Sequence, residues 1–164
     1  MRHGIMSLLS NLFARGEPAL SEASARDAGA IAALHGQSFH RGWDLEEVEG
    51  LLLDRHVVAQ RAMSGSKLSG FILSRLIEDE AEILSVAVVR ASQGRGLGRR
   101  LLELHLRRLA GLGARAVFLE VDEHNTSAIK LYGRAGFHEV ARRPNYYALP
   151  GGRTATALVL RRDL

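Results

Sequence analysis

The stretch QGRGLGRR, from Gln93 to Arg100, is the part of the chain whose residue types most directly suggest binding chemistry. Three glycines alternate with other residues directly before a segment with helical periodicity. Glycine has no side chain to block a ligand, and the first N–H groups of a helix are unpaired and carry the positive end of its dipole. A pyrophosphate is a good partner for such a turn, and a plain tight turn is the alternative.

The glycine spacing excludes two familiar nucleotide-binding motifs. The dinucleotide motif G-x-G-x-x-G would need a third glycine where Arg99 stands, and a P-loop needs a Gly-Lys pair that the chain lacks. The remaining pattern, Q-x-x-G-x-G, is formed by Gln93, Gly96 and Gly98. It still permits anion binding between a strand and a helix.

Two further polar residues lie in apolar surroundings. Glu120 ends the strand-like segment AVFLEV, where a carboxylate costs free energy unless it meets water, a partner or a catalytic task. An ion pair at the rim of the fold is the alternative. Tyr132 lies in a helical pattern, where a tyrosine usually belongs to the core. The seven histidines show no metal-ligand spacing, so we predict no metal site.

The elements that must position these residues follow from periodicity and turn signals. Helices are predicted over 24–35, from Trp43 with Asp44 as N-cap, after the glycine stretch, and after Asn125 with Gly136 at the C-terminal cap. Strands are predicted over 56–60, 65–76, 81–89, 113–121, 137–142 and 154–160. The strand over 113–121 is almost continuously apolar, which is typical of a strand buried on both faces.

This order of elements predicts an α/β fold with one central sheet. Antiparallel strands come first, and strand–helix–strand–helix–strand follows, in which strands joined by a helix are usually parallel neighbours. With 164 residues the chain fits one domain, which we place at residues 17–164. Residues 1–16 are expected to form an N-terminal extension, either disordered or amphipathic. The alternative is that Met1 is an upstream start and Met6 is the true one.

Composition narrows the class of protein. The absence of cysteine excludes disulfides, thiolate metal sites and a cysteine nucleophile, and it suits the cytoplasm. The net charge is +4, and the sequence contains no block of five or six like charges, so we expect no direct nucleic-acid binding. No apolar run reaches the ~18 residues of a membrane helix, so we expect no membrane association.

The segment from Ala81 to Tyr147 resembles the GNAT superfamily of acetyl-CoA-dependent N-acetyltransferases, and most of all the ribosomal-protein-alanine acetyltransferases of the RimI type. The stretches that carry the resemblance are SVAVV before QGRGLGRRLLE, then FLEVDEHNTSAIKLYGRAGFHEV and RRPNYY. The resemblance implies a single GNAT-like domain with a mixed, mostly antiparallel sheet, helices on both faces, and a splayed parallel strand pair that holds acetyl-CoA.

The resemblance also implies where acetyl-CoA binds. The pantetheine arm would pair with the backbone of Val86, Ala87 and Val88, whose side chains can equally be ordinary core. Asn125 would contact the cofactor, with a simple N-cap as the alternative. The pyrophosphate would lie on Gln93, Gly94, Arg95, Gly96, Leu97, Gly98 and Arg99.

By the same resemblance, Glu120 is the general base and Tyr132 protonates the departing thiolate, in a direct transfer within a ternary complex. Trp43, Tyr146 and Tyr147 would face the acceptor, with surface packing as the alternative. The expected acceptor is a protein N-terminus, most specifically the N-terminal alanine of a small-subunit ribosomal protein. We expect a monomer or weak homodimer without a metal.

Four departures from the RimI pattern fall on the acceptor side. Asp122 replaces an arginine, the loop FHRGW lacks a proline, Pro144 is additional, and Thr156 stands where an acid is common. Two alternatives therefore stay open for the acceptor: a small-molecule amine and a protein lysine. A non-catalytic acyl-CoA-binding module is a third, against which the presence of both Glu120 and Tyr132 argues.

Overall fold

The computed structural model describes residues 16–164, so the expected extension over residues 1–16 lies, except for Gly16, outside the described residues. The helices are α1 (Ala28–Ser38), α2 (Leu45–Leu53), α3 (Leu97–Gly111) and α4 (Thr126–Arg134). The strands are β1 (Ala19–Glu22), β2 (Val57–Ser64), β3 (Lys67–Ile77), β4 (Glu80–Val88), β5 (Ala116–Asp122), β6 (His138–Ala148) and β7 (Thr154–Asp163).

The strands form one seven-stranded sheet in the order β1-β2-β3-β4-β5-β7-β6. The pair β4–β5 is parallel, and every other neighbouring pair is antiparallel. The chain passes from β4 to β5 through α3, which is the crossover that a parallel pair needs. The predicted α/β class, with a mixed and mostly antiparallel sheet, is confirmed.

The parallel pair is joined along only half of its length. Residues Glu80–Ile83 of β4 pair with Ala116–Leu119 of β5, and no pairing between the two strands follows. Beyond that point β4 continues against β3 and β5 continues against β7. The register between β3 and β4 skips Leu84, a bulge that bends β4 where the strands part. A gap therefore opens in the middle of the sheet.

Helices cover both faces of the sheet, as predicted. On one face α3 and α4 enclose a core that includes Leu101, Leu109, Leu119 and Tyr132. On the other face α1 and α2 pack over β2, β3 and β4, around Phe71 and neighbouring apolar residues. The uncovered part of the second face is the surface of β5, β7 and β6.

Local capping explains where the helices begin and end. Asp44 accepts a hydrogen bond from the N–H of Glu47 at 2.8 Å, and Glu47 returns one to the N–H of Asp44 at 2.9 Å, which forms a capping box at α2. Asn125 Oδ1 accepts from the N–H of Ala128 at 3.3 Å at the start of α4. Gly136 follows α4 with φ +91°, so the predicted caps are confirmed.

The structure corrects several expectations from the sequence. Strand β1 is not predicted, and β7 lies between β5 and β6, so these two helix-connected strands are not neighbours. Strand β5 is buried on one face only, because Phe118 and Glu120 on the other face are half-buried. Strand β6 continues to Ala148, beyond the predicted end at residue 142, so the stretch NYY lies in this strand.

A buried polar network ties the middle of α3 to the sheet. The ring of His105 is completely buried; its Nδ1–H donates to the amide oxygen of Gln60, and its Nε2 accepts from Ser74 at 2.5 Å. Gln60 Nε2 in turn donates to the carboxylate of Glu22 at 3.1 Å. Since an amide oxygen can only accept, the proton of His105 lies on Nδ1, and in the neutral ring that burial favours Nε2 is the acceptor of the Ser74 hydroxyl.

Burial lowers the pKa of His105 to about 3. The unfolded chain therefore takes up a proton below the ordinary value of 6.5 while the folded chain does not, and stability falls as pH falls from 6.5 toward 3. Between pH 6.5 and pH 5, urea unfolding should show a loss of about 2 kcal/mol from this group. His105→Gln should reduce this slope, whereas His138→Asn, at an exposed position, should leave it unchanged. Equal slopes in all three proteins would contradict this assignment.

Candidate active site

The glycine stretch forms a compact turn between β4 and α3. Gly94 and Gly96 have φ values of +75° and +80°, a region that residues with a Cβ rarely adopt. A Cβ at either position would meet no atom within 4 Å, so the space over the turn is open. Gln93 Nε2 donates to the carbonyl of Val88 at 3.0 Å and holds the turn against the end of β4.

The same turn presents the N-terminus of α3. Gly96 is the N-cap and has no side chain that could accept from the first helical N–H groups. The first amide paired within the helix is that of Arg100, which donates to the carbonyl of Gly96 at 3.0 Å. Leu97 is buried and anchors the helix, while Arg95 and Arg99 are exposed. The amides before Arg100 and these two guanidinium groups fit a pyrophosphate.

The end of β4 offers backbone groups beside the gap. Val86 and Val88 pack toward the core under α3, and Ala87 points to the opposite face. All three pair with β3 along one edge only, because β5 has already turned away. The predicted splayed pair is therefore present, and its free edge lies beside the glycine turn.

Glu120 lies across the gap from this edge. Its neighbours Leu119 and Val121 belong to the core under α3, so the Glu120 side chain points to the opposite face. The carboxylate is 20% exposed and forms an ion pair with Arg143 Nε at 3.2 Å. The rim ion pair considered for Glu120 is thus present, on a residue that is also partly accessible to solvent.

Tyr132 lies on the other side of the sheet. It is 6% exposed, contacts Phe137 edge-on with ring centroids 5.7 Å apart, and belongs to the core under α3 and α4. Burial raises the pKa of Tyr132 to about 12, so its hydroxyl keeps its proton at neutral pH. Glu120 and Tyr132 therefore belong to opposite faces, and the gap between β4 and β5 joins those faces.

The two tyrosines of β6 differ in their surroundings. Tyr147 is half-buried, and burial together with the negative charge of Glu120 raises its pKa to about 12. Tyr146 is exposed and receives the guanidinium of Arg143 over its ring at 5.3 Å. The structure thus brings Tyr147 and Arg143 to Glu120, and Tyr146 to Arg143.

Trp43 lies under the start of α2 and is partly buried against the core on that face. Its indole stacks on the ring of His35, with centroids 4.0 Å apart and planes 9° apart. The packing role considered for Trp43 is therefore present. The sequence reasoning did not single out His35 or Arg143; their only signals are a histidine near the end of α1 and the arginine pair before Pro144.

An open depression of about 580 Å³ extends from Glu120 along the uncovered face of the sheet. It is lined by carboxylates of β4, among them Glu82, and by Phe118, Arg75 and Arg143, but not by the glycine turn. Within residues 16–164 no group of three metal-ligating side chains is present. In the same range no helix has the length and apolar character to cross a membrane.

Comparison with known proteins identifies this arrangement. The sequence profile of the acetyltransferase (GNAT) family matches residues 25–137. The chain belongs to the GNAT family. It is accordingly an acetyl-CoA-dependent N-acetyltransferase. The resemblance to this family predicted the splayed strand pair, and the structure contains it.

Individual GNAT relatives match over most of the chain. The [Ribosomal protein bS18]-alanine N-acetyltransferase of Escherichia coli (strain K12) is 37% identical over 100 residues, which is 61% of this chain and 67% of the relative. The crystal structure of the E. coli ribosomal-protein-S18-alanine N-acetyltransferase has a TM-score of 0.83 at 26% identity and covers 89% of this chain and 93% of its own.

A plant protein shares the GNAT fold. The structure of Arabidopsis thaliana NAA60 in complex with acetyl-CoA has a TM-score of 0.80 at 19% identity and covers 90% of this chain and 98% of its own. At this identity the likeness concerns the fold alone. It nevertheless shows that the fold accommodates acetyl-CoA in that protein.

The glycine turn provides a matched pair of variants. Gly96→Ala forces a Cβ into the left-handed region and should destabilise the start of α3 by about 1–2 kcal/mol. Gly98 has ordinary helical geometry, and a Cβ there would lie 3.7 Å from Leu131, so Gly98→Ala should cost little. Thermal unfolding checks stability, and calorimetric titration with CoA should show weaker binding for Gly96→Ala. Equal losses in both variants would contradict a strained turn.

Proposed function

We propose that the enzyme acetylates the N-terminal α-amine of a protein, specifically the N-terminal alanine of a small-subunit ribosomal protein. The observation that supports the mechanism is the gap between β4 and β5, because Tyr132 belongs to the core on one face of the sheet and the Glu120 side chain points to the other face. The choice of acceptor rests on the bS18-alanine N-acetyltransferase of E. coli, which is similar in sequence and in fold.

The donor side of the site comprises the groups along the gap and at the start of α3. Acetyl-CoA supplies an activated acyl group as a thioester. The free edge of Val86, Ala87 and Val88 would pair with the amide groups of the pantetheine arm, and the turn Gln93–Arg99 would hold the pyrophosphate. Asn125 is occupied as the N-cap of α4, so its contact with the cofactor would come from atoms not used in capping.

The acceptor amine must lose a proton before or during attack. An α-amino group has a pKa near ~8, compared with ~10.4 for lysine, so mild general-base help suffices at neutral pH. Glu120 is the carboxylate on the acceptor face and would take this proton directly or through water. Arg143 pairs with it and keeps a compensating charge beside it.

The Tyr132 hydroxyl would protonate the leaving thiolate. Its pKa of about 12 leaves it protonated throughout the working range, which a general acid requires. Because amine attack and thiolate departure take place on opposite sides of the gap, base and acid need not contact each other. Transfer would be direct, in a ternary complex, as the family resemblance implies, and the absence of cysteine is consistent with a reaction that has no acyl-enzyme.

On the acceptor side, Tyr146 and Tyr147 would flank the incoming peptide on β6, and Trp43 would border it from the α1–α2 connection. Tyr147 lies close enough to Glu120 to feel its charge. We further propose that residues 17–164 form the N-acetyltransferase domain and that its activity needs no metal, nucleic acid or membrane.

The acceptor is tested by supplying acetyl-CoA with matched peptides and mapping the product by fragmentation mass spectrometry. A peptide with a free N-terminal alanine should be acetylated on its α-amine, and the same peptide with a blocked N-terminus and an internal lysine should not. Equal labelling of the blocked peptide would favour a lysine acetyltransferase. Labelling of small amines alone would favour a small-molecule enzyme.

The catalytic roles are tested by isosteric variants. Glu120→Gln and Tyr132→Phe should each lower kcat by about 10²-fold with unchanged CoA affinity, because they remove a proton acceptor or donor and little else. Glu82→Gln, in the same depression, is the matched control and should keep its activity. The kcat of the wild type should show no alkaline decline from Tyr132 below pH 10. Full activity in either variant would refute the role of that residue.

A further inference from the structure

His35 occupies an unusual position at the end of α1. Its ring is only 4% exposed and is sandwiched between Phe39, at 4.4 Å between centroids, and Trp43, at 4.0 Å. The N–H of Trp43 donates to His35 Nδ1 at 2.9 Å. Nδ1 is therefore unprotonated, and the ring is neutral with its proton on Nε2. A single imidazole thus contacts both ends of the connection between α1 and α2.

The backbone of this connection, residues 39–44, folds tightly onto α1. A Cβ on Gly42 would lie 2.7 Å from the Cα of Gly36, closer than any side chain allows, so glycine is required at this crossing. Phe39 remains 39% exposed although its ring stacks on His35. The loop is therefore packed closely on α1, and His35 contacts Phe39 and Trp43, near its two ends.

This loop lies on the acceptor face of the sheet. His35 contacts Phe71 of β3, with ring centroids 6.4 Å apart, and Phe71 pairs with Ala87 at the end of β4. Ala87 points to the face covered by α1 and α2, which is also the face to which Glu120 points. The paired strands β3 and β4 thus lie between the loop and the free edge of the gap.

We propose that neutral His35 is a positioning residue that holds the loop 39–44 in an acceptor-binding conformation, and that protonation of the ring releases the loop. Protonated Nδ1 cannot accept from the Trp43 N–H, so the bond between the two ends of the loop is lost. The link to acceptor binding rests on the proposed function, whereas the link between His35 and Trp43 does not.

The charges around His35 set the direction of the effect. Burial lowers the pKa of His35 below 6.5, and the carboxylate of Glu47 in α2 opposes this in part. Glu47 also lies 3.8 Å from Arg41 and accepts from the N–H of Asp44. From β3, the aromatic ring of Phe71 faces the imidazole. The closed loop therefore excludes a proton that the open loop binds, and lower pH favours the open loop, by at most about tenfold per pH unit below 6.5.

The first test uses Trp43 as a reporter, because it is the only tryptophan in the chain. A protonated imidazole stacked on an indole quenches its fluorescence, and release of the loop shifts the emission. Emission of the wild type should therefore titrate with a midpoint below 6.5. His35→Asn keeps an acceptor near Nδ1 but does not titrate, so its emission should be constant. His40→Asn, at an exposed histidine of the same loop, should titrate like the wild type.

The second test separates KM from kcat for the acceptor peptide between pH 7.5 and 5.5. The peptide amine titrates in the same way with both enzymes, so His35→Asn is the reference. Relative to this variant, the KM of the wild type should rise as pH falls, whereas kcat should depend on pH in the same way in both enzymes. His35→Leu, which removes the acceptor, should raise KM about three- to tenfold at pH 7.5. Affinity for CoA should not change in any of these variants.

The outcomes are distinguishable. If the fluorescence emission titrates identically in the wild type and in His35→Asn, the proposal is wrong. It is also wrong if the NMR shift of the Trp43 amide proton in the wild type does not depend on pH, and this second measurement needs no variant. If the emission titrates as expected but acceptor KM does not follow, the loop is not part of acceptor binding and that part of the proposal is wrong. If no peptide is acetylated, the proposed acceptor fails while the fluorescence result still decides the role of His35.

Discussion

The incomplete pairing of β4 and β5 is the constraint on which the rest of the site depends. Four residues of each strand are paired, and the strands then part with their backbone groups still available for hydrogen bonds. Buried backbone groups need partners, so an open edge in the middle of a sheet is a site for something that can supply them. The bulge at Leu84 and the tie from Gln93 to Val88 place that edge and the glycine turn side by side.

The groups around the gap come from two helical layers, one on each face of the sheet. The face covered by α3 and α4 contains the N-terminus of α3, the glycine turn before it and the buried Tyr132. α1 and α2, with their connecting loop, cover part of the opposite face, where Glu120 and the tyrosines of β6 lie. The buried network of Gln60, His105 and Ser74 fixes α3 by its middle, so the start of this helix is held at a constant height over the sheet.

Features that depend on neighbours in the sequence could be predicted. The left-handed glycines, the caps at Asp44 and Asn125 and the alternation of strands follow from local geometry, and the structure contains them. The position of β7 between β5 and β6 and the pairing of β1 with β2 depend on contacts between distant segments, for which residue periodicity carries no signal.

The site shows the same division. Glu120 and Tyr132 could be proposed from their spacing and from the family resemblance, because both lie in long matching stretches. Arg143 acquires its importance only when β6 is folded beside β7 and its guanidinium meets Glu120. His35 likewise has no distinguishing sequence signal, since its partners are the aromatic rings and the backbone of a loop that returns to it.

The ion pair between Glu120 and Arg143 has a consequence for selectivity. If Glu120 receives the acceptor amine, as proposed, that amine must compete with the Arg143 guanidinium for the carboxylate. With the guanidinium 55% exposed, such a pair is worth at most about 1 kcal/mol, and an amine held in place by a peptide backbone can displace it. Under the proposed function, Arg143 would therefore favour amines whose position is fixed by further contacts over amines that approach by charge alone.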